Sequence, residues 1–299
     1  MKSKPTMKIA IDLLTFNYTI MKKVLLLAVA VAMLTGCSKD VTEIEAGAKR
    51  VAFDVQGNWN SPVFTRGSLS ADGKEMTDLW LFDYVGGELV QTLHQVSADA
   101  DFGTPAPTLS YGEHRIYFVV SRGASPVING TVISWGSIRD TFWKSMAVSV
   151  GGASASSYSV ALDRVVTKLK ITATDAVPDG TATVVVMPGT WYAGIDYLTG
   201  QPADMRDNEE MSVSVPTSYI GTTGLAVSFF GFSTIAEWTT PITVSARDED
   251  NDIIGMVNVA SAPFMANRAT EFSGSLFSTS GAFTITLNDE WAEPWSGSW

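Results

Sequence analysis

Few side chains in this chain of 299 residues could carry chemistry, and their spacing narrows the choice. His94 and His114 are the only histidines, so a Ser-His-Asp centre would have to use one of them. His114 heads the apolar run Ile116-Tyr117-Phe118-Val119-Val120 and reads as a structural histidine on a buried strand. Asp248, Asp250 and Asp252 alternate as calcium ligands do. However, Ile253 stands where that loop needs glycine and the distal glutamate is missing, so the run reads as a solvated hairpin turn. There is no HExxH, no GxSxG, no glycine-rich phosphate loop and no paired-cysteine spacing. Carboxylates for glycoside hydrolysis would meet only in three dimensions, and nothing nominates a pair. The chain reads as a non-enzyme with no metal site and no cofactor.

One reactive group is left, the thiol of Cys37. It is the only cysteine, which excludes an internal disulfide and a cysteine-based zinc or redox centre. Lys22 and Lys23 precede an unbroken apolar stretch over residues 24–34, the order and length of a signal peptide. Leu34-Thr35-Gly36-Cys37 then resembles the lipobox of bacterial lipoproteins. That resemblance implies a diacylglycerol on the thiol, removal of residues 1–36 and acylation of the new amino terminus. Each buried CH₂ contributes about 0.8 kcal/mol, so one chain holds a protein marginally while two or more hold it firmly. The signal peptide is complete from Met21, which points to Met21 as the start. Five lysines and one aspartate lie before Cys37, so the mature chain would carry −15 against −11 for the whole sequence. Such an acidic chain has no basic surface to displace counterions from nucleic acid. Asp40, Glu43 and Glu45 lie in a polar linker over residues 37–50. They resemble the acidic signal for display on the outer face of the outer membrane, or form a plain solvated tether.

Strands must position everything else. Residues 51–55 alternate with period two, and 79–85 and 88–93 flank Gly86-Gly87, a hairpin signal because both turn residues can take positive φ. Further strands are predicted over 114–120, 131–135, 165–172, 182–187, 211–215, 225–232, 242–247, 253–259, 270–277 and 282–287. Ile138, Phe142 and Met146, spaced by four, predict a short helix over 138–146, and 195–207 reads as turn-rich. Gly151 opens GGASASS, the most linker-like stretch. The fold class is therefore all-β, with one β-sandwich over residues 51–157 and a second over 158–299.

Residues 77–90 (TDLWLFDYVGGELV), 112–121 (GEHRIYFVVS), 162–171 (LDRVVTKLKI) and 267–277 (NRATEFSGSLF) resemble the fimbrillin superfamily of Bacteroidetes. These are the type V pilins and their lipoprotein anchor and accessory subunits. The resemblance implies two tandem transthyretin-like β-sandwiches and a role in cell adhesion as a subunit, tip or anchor of a pilus at the outer membrane. In polymerising members an arginine-specific protease removes the lipidated segment and first strand, and a strand from another pilus subunit fills the groove. Arg50 and Arg66 are the candidate cleavage points, and only a cut after Arg66 would free residues 51–55. An anchor would stay uncut. Trp291, Trp295 and Trp299 form a tryptophan-rich end with three open readings. They pack onto their own domain, donate to a neighbour, or stack on sugar rings of host or microbial glycans. Trp59, Trp80, Trp135, Trp143, Trp191 and Trp238 read as core.

Overall fold

The alternation seen from Val51 onward becomes strand along most of the chain in the computed structural model, which describes residues 47–57, 70–71, 74–278 and 281–288. Cys37, Trp59, Arg66, Trp291, Trp295 and Trp299 lie outside the described residues. The first half contains β1 (Ala48–Arg50), β2 (Ala52–Gly57), β3 (Ser70–Ala71), β4 (Lys74–Glu75), β5 (Asp78–Val85) and β6 (Glu88–Val96). It continues through β7 (Thr108–Ser110), β8 (Gly112–Ser121), β9 (Ala124–Asn129), β10 (Val132–Ser137), β11 (Thr141–Val150) and β12 (Ser157–Arg164). The second half begins with β13 (Val166–Ala173), β14 (Thr181–Pro188), β15 (Thr190–Asp196), β16 (Gln201–Asp207) and β17 (Met211–Ser214). It ends with β18 (Leu225–Phe232), β19 (Trp238–Asp248), β20 (Ile253–Phe264), β21 (Ala269–Ser275) and β22 (Ala282–Asn288). Gly86 and Gly87 join β5 to β6 with φ of 60° and 93°, the pair of positive values that a two-residue hairpin of this hand requires.

The main sheet of the first half has six strands in the order β2-β12-β11-β8-β5-β6. Phe53 on β2 and Phe118 on β8 have ring centroids 5.3 Å apart. Three strand spacings in a flat sheet would separate them by about 14 Å. The sheet therefore curls around its own apolar face, burying Val51, Phe53, Leu81, Ile116, Phe118 and Phe142. The second half stacks β18-β13-β21-β22 on β17-β14-β19-β20 around Leu169, Val186, Phe229, Val244, Phe264 and Phe272.

A fourth sheet, β16-β15-β10-β9, takes two strands from each half. It carries a third core between the other two, where Phe82 stacks on Tyr197 at 3.8 Å and Trp135 on Phe232 at 5.1 Å. This explains why the run at β8 is apolar on both faces toward its end: Phe118 and Val120 serve the first core and Val119 the third. A side-chain hydrogen bond from a buried ion pair also ties the halves. Arg164 donates from Nε and Nη2 to Asp140 at 2.7 and 2.9 Å and from Nη1 to Asn267 Oδ1 at 2.9 Å.

Three expectations change here. Residues 138–146 are not a helix, because most of them belong to β11. A spacing of four is also two strand periods, and Phe142, Val148 and Val150 line one face. Residues 195–207 are not merely turns, since β15 and β16 form a hairpin around Gly200 at φ 72°. The chain leaves the first sheet at Arg164 rather than at 157, because Ser157–Arg164 runs beside β2.

Candidate functional site

The most unusual neighbourhood in the first half is that of β2. Its side chains alternate, with Val51, Phe53 and Val55 buried and Asp54 and Gln56 exposed. Phe53 meets the edge of Phe118 and stacks on Tyr158 at 5.8 Å. On one side β2 runs parallel to β12, from Ala52 beside Ser157 to Gly57 beside Leu162. On the other side the amides of Val51, Phe53 and Val55 donate to the carbonyls of Pro107, Pro105 and Gly103 at 2.9, 2.9 and 3.0 Å. Prolines have no N–H to return, so at Pro105 and Pro107 this second side is a half-ladder. Fully burying a valine or phenylalanine contributes about 1.5–3 kcal/mol, so three such side chains hold β2 by roughly 5–9 kcal/mol at most.

Residues 103–107 were missed by sequence reading. The available signal was the alternate spacing of Pro105 and Pro107, tolerated in an extended segment where those positions need no donor.

Of the two candidate cleavage points, Arg50 is described. Its side chain is exposed, but its backbone lies in β1, paired antiparallel with β7 so that Arg50 opposes Thr108. Lys49 next to it donates from Nζ to the Ser154 carbonyl at 2.5 Å. A protease would have to unpair this strand before reading it. Arg66 falls in the stretch 58–69 that follows β2, outside the described residues.

The structure does bring a serine, a histidine and an aspartate together. His114 Nδ1 is 2.8 Å from Asp83 Oδ1, and its Nε2 is 3.4 Å from Ser110 Oγ. Yet Nε2 lies closer to the Ser110 carbonyl, at 2.8 Å. Each ring nitrogen thus has an oxygen of Asp83 or of the Ser110 backbone at 2.8 Å, nearer than the Ser110 hydroxyl, which is not the geometry of a base aimed at a nucleophile. With His114 and Asp83 buried, this is a satisfied polar core. The Asp248 carboxylate is likewise turned inward on its own hairpin, accepting from the amides of Asp250 at 3.1 Å and Asp252 at 2.8 Å.

The described tryptophans are internal. Trp80, Trp135 and Trp191 are buried, and Trp143 and Trp238 are half-buried with their indole N–H groups donating to Tyr197 O and Ser233 Oγ. In the second half, the end strands β17 and β18 border an open groove of about 710 Å³. Sequence reading gave no hint of it, because strand order across two stacked sheets decides which edges stay unpaired.

Comparison with known proteins follows the same division between fold and role. A candidate polysaccharide-binding protein (DUF1812) from Bacteroides thetaiotaomicron superposes with a TM-score of 0.50 at 8% identity, over 80% of this chain and 96% of that one. A candidate adhesin from Bacteroides ovatus gives 0.49 at 9% identity, over 82% and 95%. The fimbrial anchor protein Mfa2 from Porphyromonas gingivalis gives 0.47 at 9%, over 81% and 97%. At such identities the likeness is one of all-β fold. Residues 128–299 match the model of a family of unknown function, DUF6562, and residues 21–38 match the prokaryotic membrane lipoprotein lipid attachment site. No curated protein matches the sequence.

Proposed function

We propose, on the premise that this chain belongs to the DUF6562 family, that it is a fimbrillin-like lipoprotein serving as subunit, tip or anchor of adhesive surface fibres. The observation that carries this reading is β2, an apolar-faced end strand of its sheet that follows Cys37 closely in sequence and is followed at once by the segment that contains Arg66. In this reading Cys37 takes the acyl chains and ties the protein to the outer membrane. Cleavage after Arg66 detaches β1 and β2 together with the lipid. Three apolar sockets, the carbonyls of Gly103, Pro105 and Pro107, and the edge of β12 then await a strand from another subunit. Backbone bonds supply affinity and alternate side chains the register. Uncut, β2 keeps its place and the molecule holds a fibre by its lipid. Glycan binding finds no fully exposed ring among the described tryptophans, which leaves that role to Trp291, Trp295 and Trp299.

The test is to treat the acylated protein with an arginine-specific protease, sequence the new amino terminus and measure assembly mass. A terminus at Gly67 with high-mass species, both lost in Arg66→Ala, is expected. Protein cut at Gly67 that remains monomeric in the presence of other subunits would sink strand exchange.

A further inference from the structure

The Arg50–Val51 bond joins an exposed basic residue to a sealed strand. Lys49 and Arg50 form a basic pair, and the Arg50 side chain is exposed, as a protease that selects arginine requires. The backbone around that side chain is closed on both sides. On the amino side, Ala48, Lys49 and Arg50 pair with Ser110, Leu109 and Thr108. The Gly47 carbonyl accepts from the Tyr111 N–H, and Lys49 Nζ donates to the Ser154 carbonyl at 2.5 Å. On the carboxyl side, the N–H groups of three successive residues are all engaged. Val51 donates to Pro107, Ala52 to Ser156 and Phe53 to Pro105, each at 2.9 Å. Val51 and Phe53 are also fully buried.

A protease that holds its substrate as an added strand needs the backbone groups on either side of the bond it cuts. Here those groups already have partners in the fold, and the residue after the bond lies in the core. Reading Arg50 therefore requires β1 to part from β7. It also requires the start of β2 to part from β12 and from residues 103–107. The cut itself is a hydrolysis. Water adds across the Arg50–Val51 peptide bond, the C–N bond breaks, Arg50 keeps the carboxylate and Val51 the amine.

We propose that Arg50–Val51 is a conditional processing site, closed while β2 is seated and open whenever it is not. Two occasions leave β2 unseated. One precedes its pairing with β12, and the other follows its displacement by a competing strand. A cut on either occasion separates everything up to Arg50 from β2. A Val51 terminus on folded protein thus records a cut made while β2 was out of place. The inference rests on the fibre reading only for an arginine-selecting protease that meets the chain. It concerns a different bond from the one whose cleavage opens the groove.

The test uses the full acylated chain carrying Arg66→Ala, an arginine-specific protease, and mass spectrometry timing the cut after Arg50. A synthetic peptide of residues 47–56 supplies the rate for the same sequence unfolded. Cleavage of a transiently opened site follows the population of the open form, so the folded chain should be cut at least about a hundredfold more slowly than the peptide. Phe53→Ala empties the socket of β2 and should speed the cut at least about tenfold, measured against a peptide with the same change. Near-ultraviolet circular dichroism checks that this variant folds. Val55→Ala, a smaller change farther along the strand, should act in the same direction if it does not. Equal rates for chain and peptide overturn the proposal. So does a peptide that resists the protease, or a folded variant with an unaltered relative rate. Loss of the Gly67 terminus or of assembly in the unaltered chain would sink the fibre reading and leave this ratio as it is.

Discussion

The two halves of this molecule solve the same edge problem in different ways. The first half closes its curled sheet with β2, whose Val51, Phe53 and Val55 are at most 4% exposed. The second half leaves β17 and β18 facing one another across an open groove, with no strand between them among the described residues. In one case a strand covers the apolar face, and in the other no described strand does. The contrast separates an edge strand whose apolar face is buried from edge strands that border a groove among the described residues.

Substitutions can break the contrast or sharpen it. Phe53→Ala should lower the unfolding free energy by about 3–5 kcal/mol in urea titration, because it empties a socket lined by Phe118 and Tyr158. A loss below about 1 kcal/mol would mean that β2 is a loose cover and not a plug. Arg164→Ala should cost about 3–5 kcal/mol as well, since it strands the buried Asp140 carboxylate and unties Asn267. Here the useful readout is cooperativity, and two separate melting steps would show that the halves then unfold apart.

Tyr197→Phe should cost about 1 kcal/mol by removing the 3.1 Å bond to the Tyr84 hydroxyl. Burial, then that bond, raises the Tyr197 pKa above its ordinary value of 10.0. With the folded pKa above the unfolded one, its contribution is intact below about pH 10 and is lost as pH rises beyond it. Melting temperature above pH 10 should therefore fall more steeply in the unaltered protein than in the phenylalanine variant. The smallest effect is expected at the open groove. Met211→Ala on half-buried β17 should change stability by less than about 1 kcal/mol. A large loss would show that something already covers it.

Much of the first half was legible because local pattern decided it. The Gly86-Gly87 turn and its strands needed only positive φ and alternation. Leu225–Phe232 is likewise found where its apolar run predicts. The sequence misled where one pattern fits two periods, as at Phe142 and Met146. It was silent at β9, where all six residues of Ala-Ser-Pro-Val-Ile-Asn are exposed and no face is marked by burial. The alternation at residues 51–55 was readable, but its placement beside β12 was not. Parallel pairing across so many residues leaves no trace in either strand. The serine, histidine and aspartate show the same limit: their types were visible, whereas the Ser110 carbonyl that occupies His114 Nε2 was not.

The parallel pairing of β2 with β12 also sets an order of events. In a chain made amino end first, β2 comes at the outset, yet about a hundred residues must follow before Ser157–Arg164 exists to receive it. Closing so long a loop costs little equilibrium free energy but delays pairing, as non-local strand contacts do in general. Until then the apolar side chains of Val51, Phe53 and Val55 lack the cover that β12 brings. The first strand of the six-stranded sheet in sequence is thus the one whose pairing has to wait for the last.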